Sequence, residues 1–286
     1  MKVAVAGLGV MGFPMAGHLA KAGHELAVFN RSPEKSQRWV ATHGGKAGAT
    51  ASEAAAGAEV FVLCVGNDDD VRQVVAQALP AMAAGGVLVD HTTTSAVVAR
   101  EMAELAAKSG RAFVDAPVSG GQAGAENGQL TIMCGGTPDA FAHVDPVIGA
   151  YAKATKLMGA SGSGQLAKMV NQICIAGVVQ GLAEGLHFAK RAGLDPALVY
   201  DAISKGAAQS WQMDNRWTTM TQGKFEFGFA VDWMRKDLGL LLDEAGRNGA
   251  TLDMTAMVDG FYAEVQAMGG RRWDTSSLVA RLETLA

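Results

Sequence analysis

The sequence predicts an α/β amino-terminal domain with a mostly parallel sheet, then a long interdomain helix, then an all-α carboxy-terminal domain. Three observations lead to this prediction. Short β-branched runs alternate with helical stretches in the first half, nearly everything after about Gly164 is helix-like, and the first of these helical stretches is unusually long and lacks proline. Alternating strands and helices are typical of a parallel sheet covered on both faces.

Six runs have the composition of strands, namely KVAVAG, ELAVFN, EVFVLCV, GGVLVDHT, RAFVDAPVS and QLTIMCGG. The pattern changes after KATKLMG, so we place an α/β domain at 1–161, the interdomain helix at 162–193 and the helical domain at 194–286. Gly193 marks the end of the long helix, and Asp195 with Pro196 is suited to start the next one.

The composition restricts the possible partners. The 286 residues are 49% hydrophobic and 18% charged, as in a soluble globular protein with room for two domains. The net charge is -4 and no basic run occurs, which favours a small-molecule ligand over nucleic acid or anionic lipid. We expect no membrane association, because the chain opens without a signal-peptide pattern and no apolar run approaches ~20 residues.

The cysteines indicate the compartment. Cys64, Cys134 and Cys174 are odd in number, widely spaced and set in apolar runs, which favours buried thiols in a reducing environment. We therefore expect a cytoplasmic protein. No His, Cys or acidic cluster has the spacing of metal ligands, so we expect no metal site.

A glycine motif follows the first predicted strand. Gly7, Gly9 and Gly12 form G-x-G-x-x-G, which permits a tight turn and brings a helix N-terminus against a pyrophosphate. By itself the motif could be a β-to-α turn without a ligand. The preceding strand, the following helix and a polar strand end ~20 residues later favour a dinucleotide site.

That polar strand end bears on the choice of cofactor. An acid there would accept hydrogen bonds from the ribose of NAD, whereas this chain has Asn30 and Arg31. The guanidinium of Arg31 offers a fork of donors to a 2′-phosphate, with Ser32 and Lys35 as further contacts. We therefore predict NADP(H) as the preferred cofactor. NAD(H) is also used if Arg31 is only a solvated loop charge.

Two further stretches carry groups suited to binding and catalysis. In DAPVSGG, Ser119 precedes Gly120 and Gly121, and a hydroxyl with successive backbone N–H groups suits a carboxylate, although a plain turn is an equally good interpretation. In GSGQLAKMVNQ, Lys168 and Asn171 share one helix face. Desolvation lowers the pKa of an amine towards the range of a general acid or base. A lysine that extends from a helix edge to solvent is the simpler interpretation of that stretch alone.

A fourth stretch, FAVDWMRKDLGLLLDEA, places Lys236 beside Asp237 in an amphipathic helix, where a solvated charged face is the simplest interpretation. Taken together, GLGVMGFPM, DAPVSGG, GSGQLAKMVNQ and MRKDLGLLL resemble the β-hydroxyacid dehydrogenase family in order and separation, over essentially the whole chain. That family includes 3-hydroxyisobutyrate dehydrogenase and the tartronate and glyoxylate/succinic semialdehyde reductases.

The resemblance implies a Rossmann domain, a homodimer or homotetramer, and a small carboxylate-bearing substrate. It also implies reversible hydride transfer between a nicotinamide and a small β-hydroxy acid or semialdehyde. Lys168 matches the catalytic lysine. The implied substrate contacts are Ser119, Gly120, Gly121, Asn171 and Gln172. The implied cofactor contacts are Gly7, Gly9, Val10, Met11, Gly12, Asn30, Arg31, Ser32, Val65, Thr93 and Lys236.

The substrate and the reaction class have alternatives. SWQMDNR lies where members of the family shape the pocket, so Trp211 is a candidate wall of that pocket, with a core tryptophan as the other interpretation. An NADPH-dependent reductase of glyoxylate, succinic or tartronate semialdehyde is the nearest functional alternative. A non-catalytic NADP-binding scaffold and an imine reductase are disfavoured, because such relatives usually replace the lysine that Lys168 matches.

Overall fold

The computed structural model describes residues 1–284. The chain divides into two compact units, one formed by Met1–Lys168 and the other by the chain from Met169 onward. The strands of the first unit are β1 (Lys2–Ala6), β2 (Glu25–Phe29), β3 (Lys46–Ala47), β4 (Val60–Leu63), β5 (Val87–Asp90), β6 (Ala112–Asp115), β7 (Val118–Ser119), β8 (Leu130–Gly135) and β9 (Ala152–Gly159).

The helices of the first unit are α1 (Gly12–Lys21), α2 (Pro33–His43), α3 (Ala51–Ala55), α4 (Asp68–Ala78), α5 (Ala96–Lys108), α6 (Gly121–Glu126) and α7 (Pro138–Ile148). A long helix, α8 (Ser163–Arg191), begins in the first unit and continues into the second. The second unit adds α9 (Pro196–Ile203), α10 (Trp211–Thr221), α11 (Val231–Asn248), α12 (Asp253–Ala267) and α13 (Leu278–Thr284).

The strands form one sheet in the order β3-β2-β1-β4-β5-β6-β8-β7, and β9 pairs with β8. Pairing is parallel from β3 across to β6, whereas β8 runs antiparallel to β6 and β7. Strand order that runs outwards in both directions from β1 and β4 is typical of the Rossmann fold. The prediction of an α/β domain with a mostly parallel sheet, a long helix and a helical domain is confirmed.

The parallel register aligns the carboxyl ends of five strands. Ala6 pairs with Phe29 on one side and with Leu63 on the other, Leu63 pairs with Asp90, and Asp90 pairs with Asp115. The loops that follow these strands therefore leave the sheet along one edge. In open α/β sheets this is the edge at which ligands bind.

Both faces of the sheet are buried, which is why its strands have nearly continuous apolar sequences. Along β1, Val3 and Val5 belong to one hydrophobic cluster, whereas Ala4 and Ala6 belong to another. Successive side chains of a strand point to opposite faces, so these two clusters are the cores on either side of the sheet.

Helix α8 ends as the sequence predicts. It stops at Arg191, and Gly193 has φ +73°, a left-handed conformation that glycine adopts without strain. The Asp195 carboxylate then accepts the N–H of Ala197 at 2.8 Å and caps α9.

Three features differ from the sequence-based expectations. Strand β9 was not among the expected strands, because its Lys153 and Lys156 interrupt the apolar pattern. Burial of all three thiols was wrong for Cys174, which is exposed on α8, whereas Cys134 is buried and Cys64 is half-buried. Cys174 lies on the same side of α8 as Val170 and Phe188, and all three side chains are exposed among residues 1–284.

Helix α8 is also more apolar than expected. An 18-residue window of it has a mean hydropathy of 1.3, so by length and composition alone it could cross a membrane. Of that window, 44% is buried inside the chain, and the core helix of a soluble protein passes the same test. The expectation of no membrane association therefore stays a prediction.

Candidate active site

The glycine turn after β1 has the backbone geometry of a dinucleotide site. Gly7 has φ +92°, and a Cβ on it would collide with the carbonyl of Cys64. A Cβ on Gly12 would collide with the carbonyl of Gly7, which keeps α1 close to the turn. Gly9 differs, because a Cβ there would meet nothing within 4 Å. Two of the three glycines therefore allow close backbone packing within the turn, and the third leaves open space beside the backbone. These residues fit a dinucleotide whose pyrophosphate approaches the backbone at Gly9.

Asn30 supports this turn from the end of β2. Its Oδ1 accepts the N–H of Leu8 at 2.9 Å, and its Nδ2 donates to the carbonyl of Ser32 at 3.1 Å. The other predicted turn contacts differ in exposure, since Val10 is exposed and Met11 is half-buried. Asn30 thus holds the glycine turn to the residues that follow β2.

Arg31 lies beside an acidic residue that the sequence reasoning did not select. Its side chain is 84% exposed, and its Nη1 donates to Oδ1 of Asp70 at 3.2 Å. The other carboxylate oxygen of Asp70 accepts the N–H of Gly66 at 3.2 Å. The pair is separated by 39 residues in the chain, so no local pattern indicates it.

Gln165, near the start of α8, holds the loop that follows β5. Its Oε1 accepts the N–H of Thr94 at 3.0 Å, and its Nε2 donates to the carbonyl of Thr92 at 2.7 Å. Thr93, the predicted cofactor contact, is half-buried between these two buried threonines. The hydroxyl oxygen of Thr92 accepts the N–H of Val65, which ties in the loop after β4.

Asp115, at the end of β6, anchors the first turn of α8. One carboxylate oxygen accepts the N–H of Gly162 at 2.7 Å, and the other accepts the N–H of Gln165 at 3.0 Å. The carboxylate is fully buried. Burial raises the pKa of Asp115 to about 6, although the backbone N–H donors act in the opposite direction. The helix dipole also stabilises a negative charge at the N-terminus of α8.

Lys168 lies in the second turn of the helix that Asp115 and Gln165 hold against the sheet. The residue is only 8% exposed. Burial of so long a cationic side chain is uncommon unless the amine is paired or has a chemical role. Asp115 thus fixes the first turn of α8 at the carboxyl edge of the sheet, and the buried Lys168 follows in the next turn.

The loop predicted to hold a carboxylate also belongs to the first unit. Ser119 ends β7 and is half-buried, whereas Gly120 and Gly121 are exposed. Their φ angles are +131° and +61°, conformations that favour glycine. The loop follows β6, so its connection to the sheet begins at the same edge as the other site loops.

In the second unit, hydrogen bonds and an ion pair connect the predicted residues Asn171, Gln172 and Lys236 through Asp237. Nδ2 of Asn171 donates to Oε1 of Gln172 at 2.8 Å, and Nε2 of Gln172 donates to Oδ2 of Asp237 at 2.7 Å. The amine of Lys236 lies 3.3 Å from the other oxygen of Asp237. Asp237 is buried and completes this cluster, although the sequence indicates it only as the neighbour of Lys236.

Trp211 is not a core residue, so that alternative is wrong. It is 55% exposed at the start of α10, and the guanidinium of Arg216 lies 5.1 Å from its ring centroid. Nε of Arg216 donates to Asp274 at 2.9 Å, which fixes the guanidinium. An exposed, cation-stacked ring is consistent with the pocket role, which stays a prediction.

Two buried polar side chains contact each other, His91 directly after β5 and Tyr151 directly before β9. Nδ1 of His91 lies 2.6 Å from the carbonyl of Ala116, and Nε2 lies 2.8 Å from the hydroxyl of Tyr151. Burial lowers the pKa of His91 to about 4. The neutral ring therefore donates from Nδ1 and accepts the tyrosine proton at Nε2.

Within residues 1–284, no group of three or more His, Cys, Asp or Glu side chains is arranged to hold a metal ion.

Two family models match the chain. Residues 2–161 match the NAD-binding domain of 6-phosphogluconate dehydrogenase, and residues 162–282 match a domain described as the NAD-binding of NADP-dependent 3-hydroxyisobutyrate dehydrogenase. The chain belongs to the β-hydroxyacid dehydrogenase family. The family resemblance predicted from the sequence motifs is confirmed, and the protein is an NAD(P)-dependent oxidoreductase of the 3-hydroxyisobutyrate dehydrogenase type.

Individual relatives cover nearly the whole chain. A Shewanella frigidimarina protein described as an uncharacterized oxidoreductase is 63% identical over 99% of this chain and 98% of its own. The 2-hydroxy-3-oxopropionate reductase of Escherichia coli is 33% identical over 100% of this chain and 98% of its own. Among solved structures, Mycobacterium tuberculosis 3-hydroxyisobutyrate dehydrogenase with L-serine has a TM-score of 0.90 and 31% identity, covering 98% of both chains.

Proposed function

We propose that this protein catalyses reversible hydride transfer between NADP(H) and a small β-hydroxy acid of the 3-hydroxyisobutyrate type, with Lys168 as general acid and base. The observation that carries the proposal is the buried Lys168 on a helix whose first turn is fixed to the carboxyl edge of the sheet. That edge also carries the open glycine turn at Gly9.

The chain supplies binding and proton transfer. In the reducing direction, the ammonium group of Lys168 gives a proton to the developing alkoxide oxygen, and in the oxidising direction its neutral amine removes the hydroxyl proton. Ser119 and the exposed backbone of Gly120 and Gly121 receive the substrate carboxylate. Asn171, on the same face of α8 as Lys168, orients the substrate.

The nicotinamide cofactor, when bound, supplies or accepts the hydride. The glycine turn would hold its pyrophosphate, and Thr93, half-buried between anchored neighbours, would contact it near the reactive ring. The preference for NADP(H) is supported by the exposed Arg31 guanidinium and by the uncharged Asn30 at the end of β2.

A steady-state panel tests the proposal. NADP+ or NAD+ reduction is measured with 3-hydroxyisobutyrate, 3-hydroxypropionate and serine, and NADPH or NADH oxidation is measured with glyoxylate and with succinic, methylmalonic and tartronic semialdehydes. We expect turnover with at least one hydroxy acid and its semialdehyde, with NADP(H) favoured.

Two lysine variants of helix α8 provide the control. Lys168→Ala should lose activity by about 10²- to 10⁴-fold, the usual contribution of a general acid or base. Lys190→Ala, which removes a lysine paired with Glu283 at the far end of the same helix, should leave it intact. If the protein binds the cofactor but turns over none of the substrates in the panel, the proposed dehydrogenase activity is wrong and a binding role is favoured.

A semialdehyde reductase is the second candidate. The Escherichia coli relative is named for the reduction of 2-hydroxy-3-oxopropionate, and a preference for NADPH would favour reduction in cells. Turnover of glyoxylate or of succinic or tartronic semialdehyde, with no oxidation of 3-hydroxyisobutyrate, would favour this candidate over the first.

We also propose a cytoplasmic homodimer or homotetramer that binds a small carboxylate-bearing substrate and neither nucleic acid nor a membrane. Self-association is supported by apolar side chains that the second unit leaves exposed, among them Phe188, Leu198 and Met257. Light scattering of the purified protein tests the oligomeric state, and a monomer at micromolar concentration would contradict it. Fractionation of cells tests the location.

A further inference from the structure

The acidic first turn of α4 contains three aspartates with three different partners. Asp68 accepts hydrogen bonds from the backbone and hydroxyl of Ser95. Asp69 pairs with Arg72 of its own helix. Asp70 pairs with Arg31, the residue that supports the NADP(H) assignment. Asp70 therefore contacts Arg31, the residue predicted to bind the 2′-phosphate of the cofactor.

Topology explains how the two side chains meet. Strands β2 and β4 flank β1 on its two sides, Arg31 follows β2, and Asp70 belongs to the helix after β4. The Arg31–Asp70 pair thus links the two elements beside the strand that leads into the glycine turn.

Asp70 is the better anchored partner of this pair, and Arg31 is the more exposed one. The Asp70 side chain is 21% exposed, and its second oxygen accepts the N–H of Gly66. Asn67 caps the helix by accepting the N–H of Asp70, which further fixes the residue. Arg31, at 84% exposure, is held by an ion pair of the weak, solvent-exposed kind.

A 2′-phosphate that binds Arg31 must share its guanidinium with this carboxylate. The guanidinium is only a few ångströms across, so phosphate and carboxylate would lie roughly 7 Å apart, with like charges. A phosphate monoester carries almost two negative charges above neutral pH. Screened Coulomb repulsion at that distance should weaken the binding of the phosphate about three- to tenfold.

We infer that Asp70 sets the strength of cofactor discrimination by competing with the 2′-phosphate for Arg31, so that the protein retains use of NAD(H). Asp70 supplies, from α4, the negative charge that the end of β2 lacks at Asn30. The inference rests on the proposed role of Arg31 in NADP(H) binding.

The test measures binding without catalysis. Calorimetric titration of the cofactor-free protein with adenosine 2′,5′-bisphosphate and with AMP isolates the contribution of the 2′-phosphate. Asp70→Asn keeps an oxygen for the Gly66 N–H but removes the charge, and Asp70→Glu keeps the charge. Asp69→Asn is the matched control, since its side chain is 93% exposed and pairs with Arg72.

We expect Asp70→Asn to tighten bisphosphate binding about three- to tenfold at low salt, less at high salt, and to leave AMP binding within about twofold. The ratio of NADPH to NADH dissociation constants should shift by the same factor. Asp70→Glu and Asp69→Asn should resemble the unaltered protein. Weaker or unchanged bisphosphate binding in Asp70→Asn would overturn the inference.

Arg31→Ala separates this inference from the function on which it rests. If Arg31→Ala weakens bisphosphate but not AMP binding, the NADP(H) assignment stands, and the Asp70→Asn result decides the inference alone. If Arg31→Ala binds bisphosphate normally, Arg31 is not the 2′-phosphate ligand, and both the assignment and the inference fail.

Discussion

Replacement of Asp115 by asparagine should change the pH dependence of stability in a direction that the structure determines. In the folded protein burial raises the pKa of this carboxyl group from 3.8 to about 6. In the unfolded chain the group should titrate near 3.9. Between about pH 4 and pH 6 the folded protein therefore keeps a proton that the unfolded chain has released.

The sign follows from this difference in bound protons. Because the folded state binds more protons in that window, the contribution of Asp115 to the free energy of unfolding falls as pH rises from about 4 to 6, and then levels off. A difference of about two pKa units corresponds to about 3 kcal/mol. The advantage of the unaltered protein over Asp115→Asn should therefore shrink by up to ~3 kcal/mol between pH 4 and pH 7.

A comparison with the variant is needed because another buried group acts in the opposite direction. Burial lowers the pKa of His91 to about 4. The unfolded chain therefore binds more protons at this position between about pH 4 and 6.5, and the His91 contribution rises with pH. In the unaltered protein the two contributions largely cancel.

Urea unfolding at several pH values, followed by circular dichroism, gives the required free energies. Asp139→Asn, which changes an exposed aspartate in the first turn of α7, controls for loss of a surface charge. A difference between the unaltered protein and Asp115→Asn that stays constant, or that grows towards pH 7, would show that folding does not raise the pKa of Asp115.

Four further substitutions test the site. Gly9→Ala should leave the melting temperature nearly unchanged, because its Cβ meets open space, yet weaken NADPH binding roughly tenfold in a fluorescence titration, whereas Gly7→Ala should destabilise the fold itself. Gln165→Leu leaves the buried N–H of Thr94 without its acceptor, so the free energy of unfolding should fall by about 1–3 kcal/mol. A loss smaller than that caused by replacing an exposed glutamine with leucine would contradict this prediction. Ser119→Ala should raise KM for the carboxylate substrate about tenfold with a smaller change in kcat, and an unchanged KM would exclude the hydroxyl from substrate binding.

The fold was predictable where local sequence determines local structure. The strands that line the site are continuous apolar runs because the sheet is covered on both faces. Helix α8 ends before Gly193, and α9 begins after Asp195, because glycine and aspartate favour those backbone conformations. Strand β9 escaped prediction because Lys153 and Lys156 interrupt its apolar pattern.

The motifs predicted the candidate site residues, but they did not predict the long-range contacts that hold those residues in place. Gln165 and Asp115 lie within or next to recognised motifs, yet their partners are 71 and 50 residues away along the chain. Asp70 and Arg31 lie 39 residues apart, and Gln172 and Asp237 lie 65 residues apart. Such contacts depend on strand order and helix packing, which residue spacing alone does not encode.

Single-turnover hydride transfer in the unaltered protein and in Lys168→Ala tests whether Lys168 is the proton donor. Each protein is saturated with NADPH, binding is verified by titration, and loss of the 340 nm absorbance is followed after mixing with the best semialdehyde of the panel. We expect equal cofactor binding and a transfer rate about 10²- to 10⁴-fold lower in the variant. Transfer within tenfold of the unaltered rate, with cofactor fully bound, would show that Lys168 is not the proton donor.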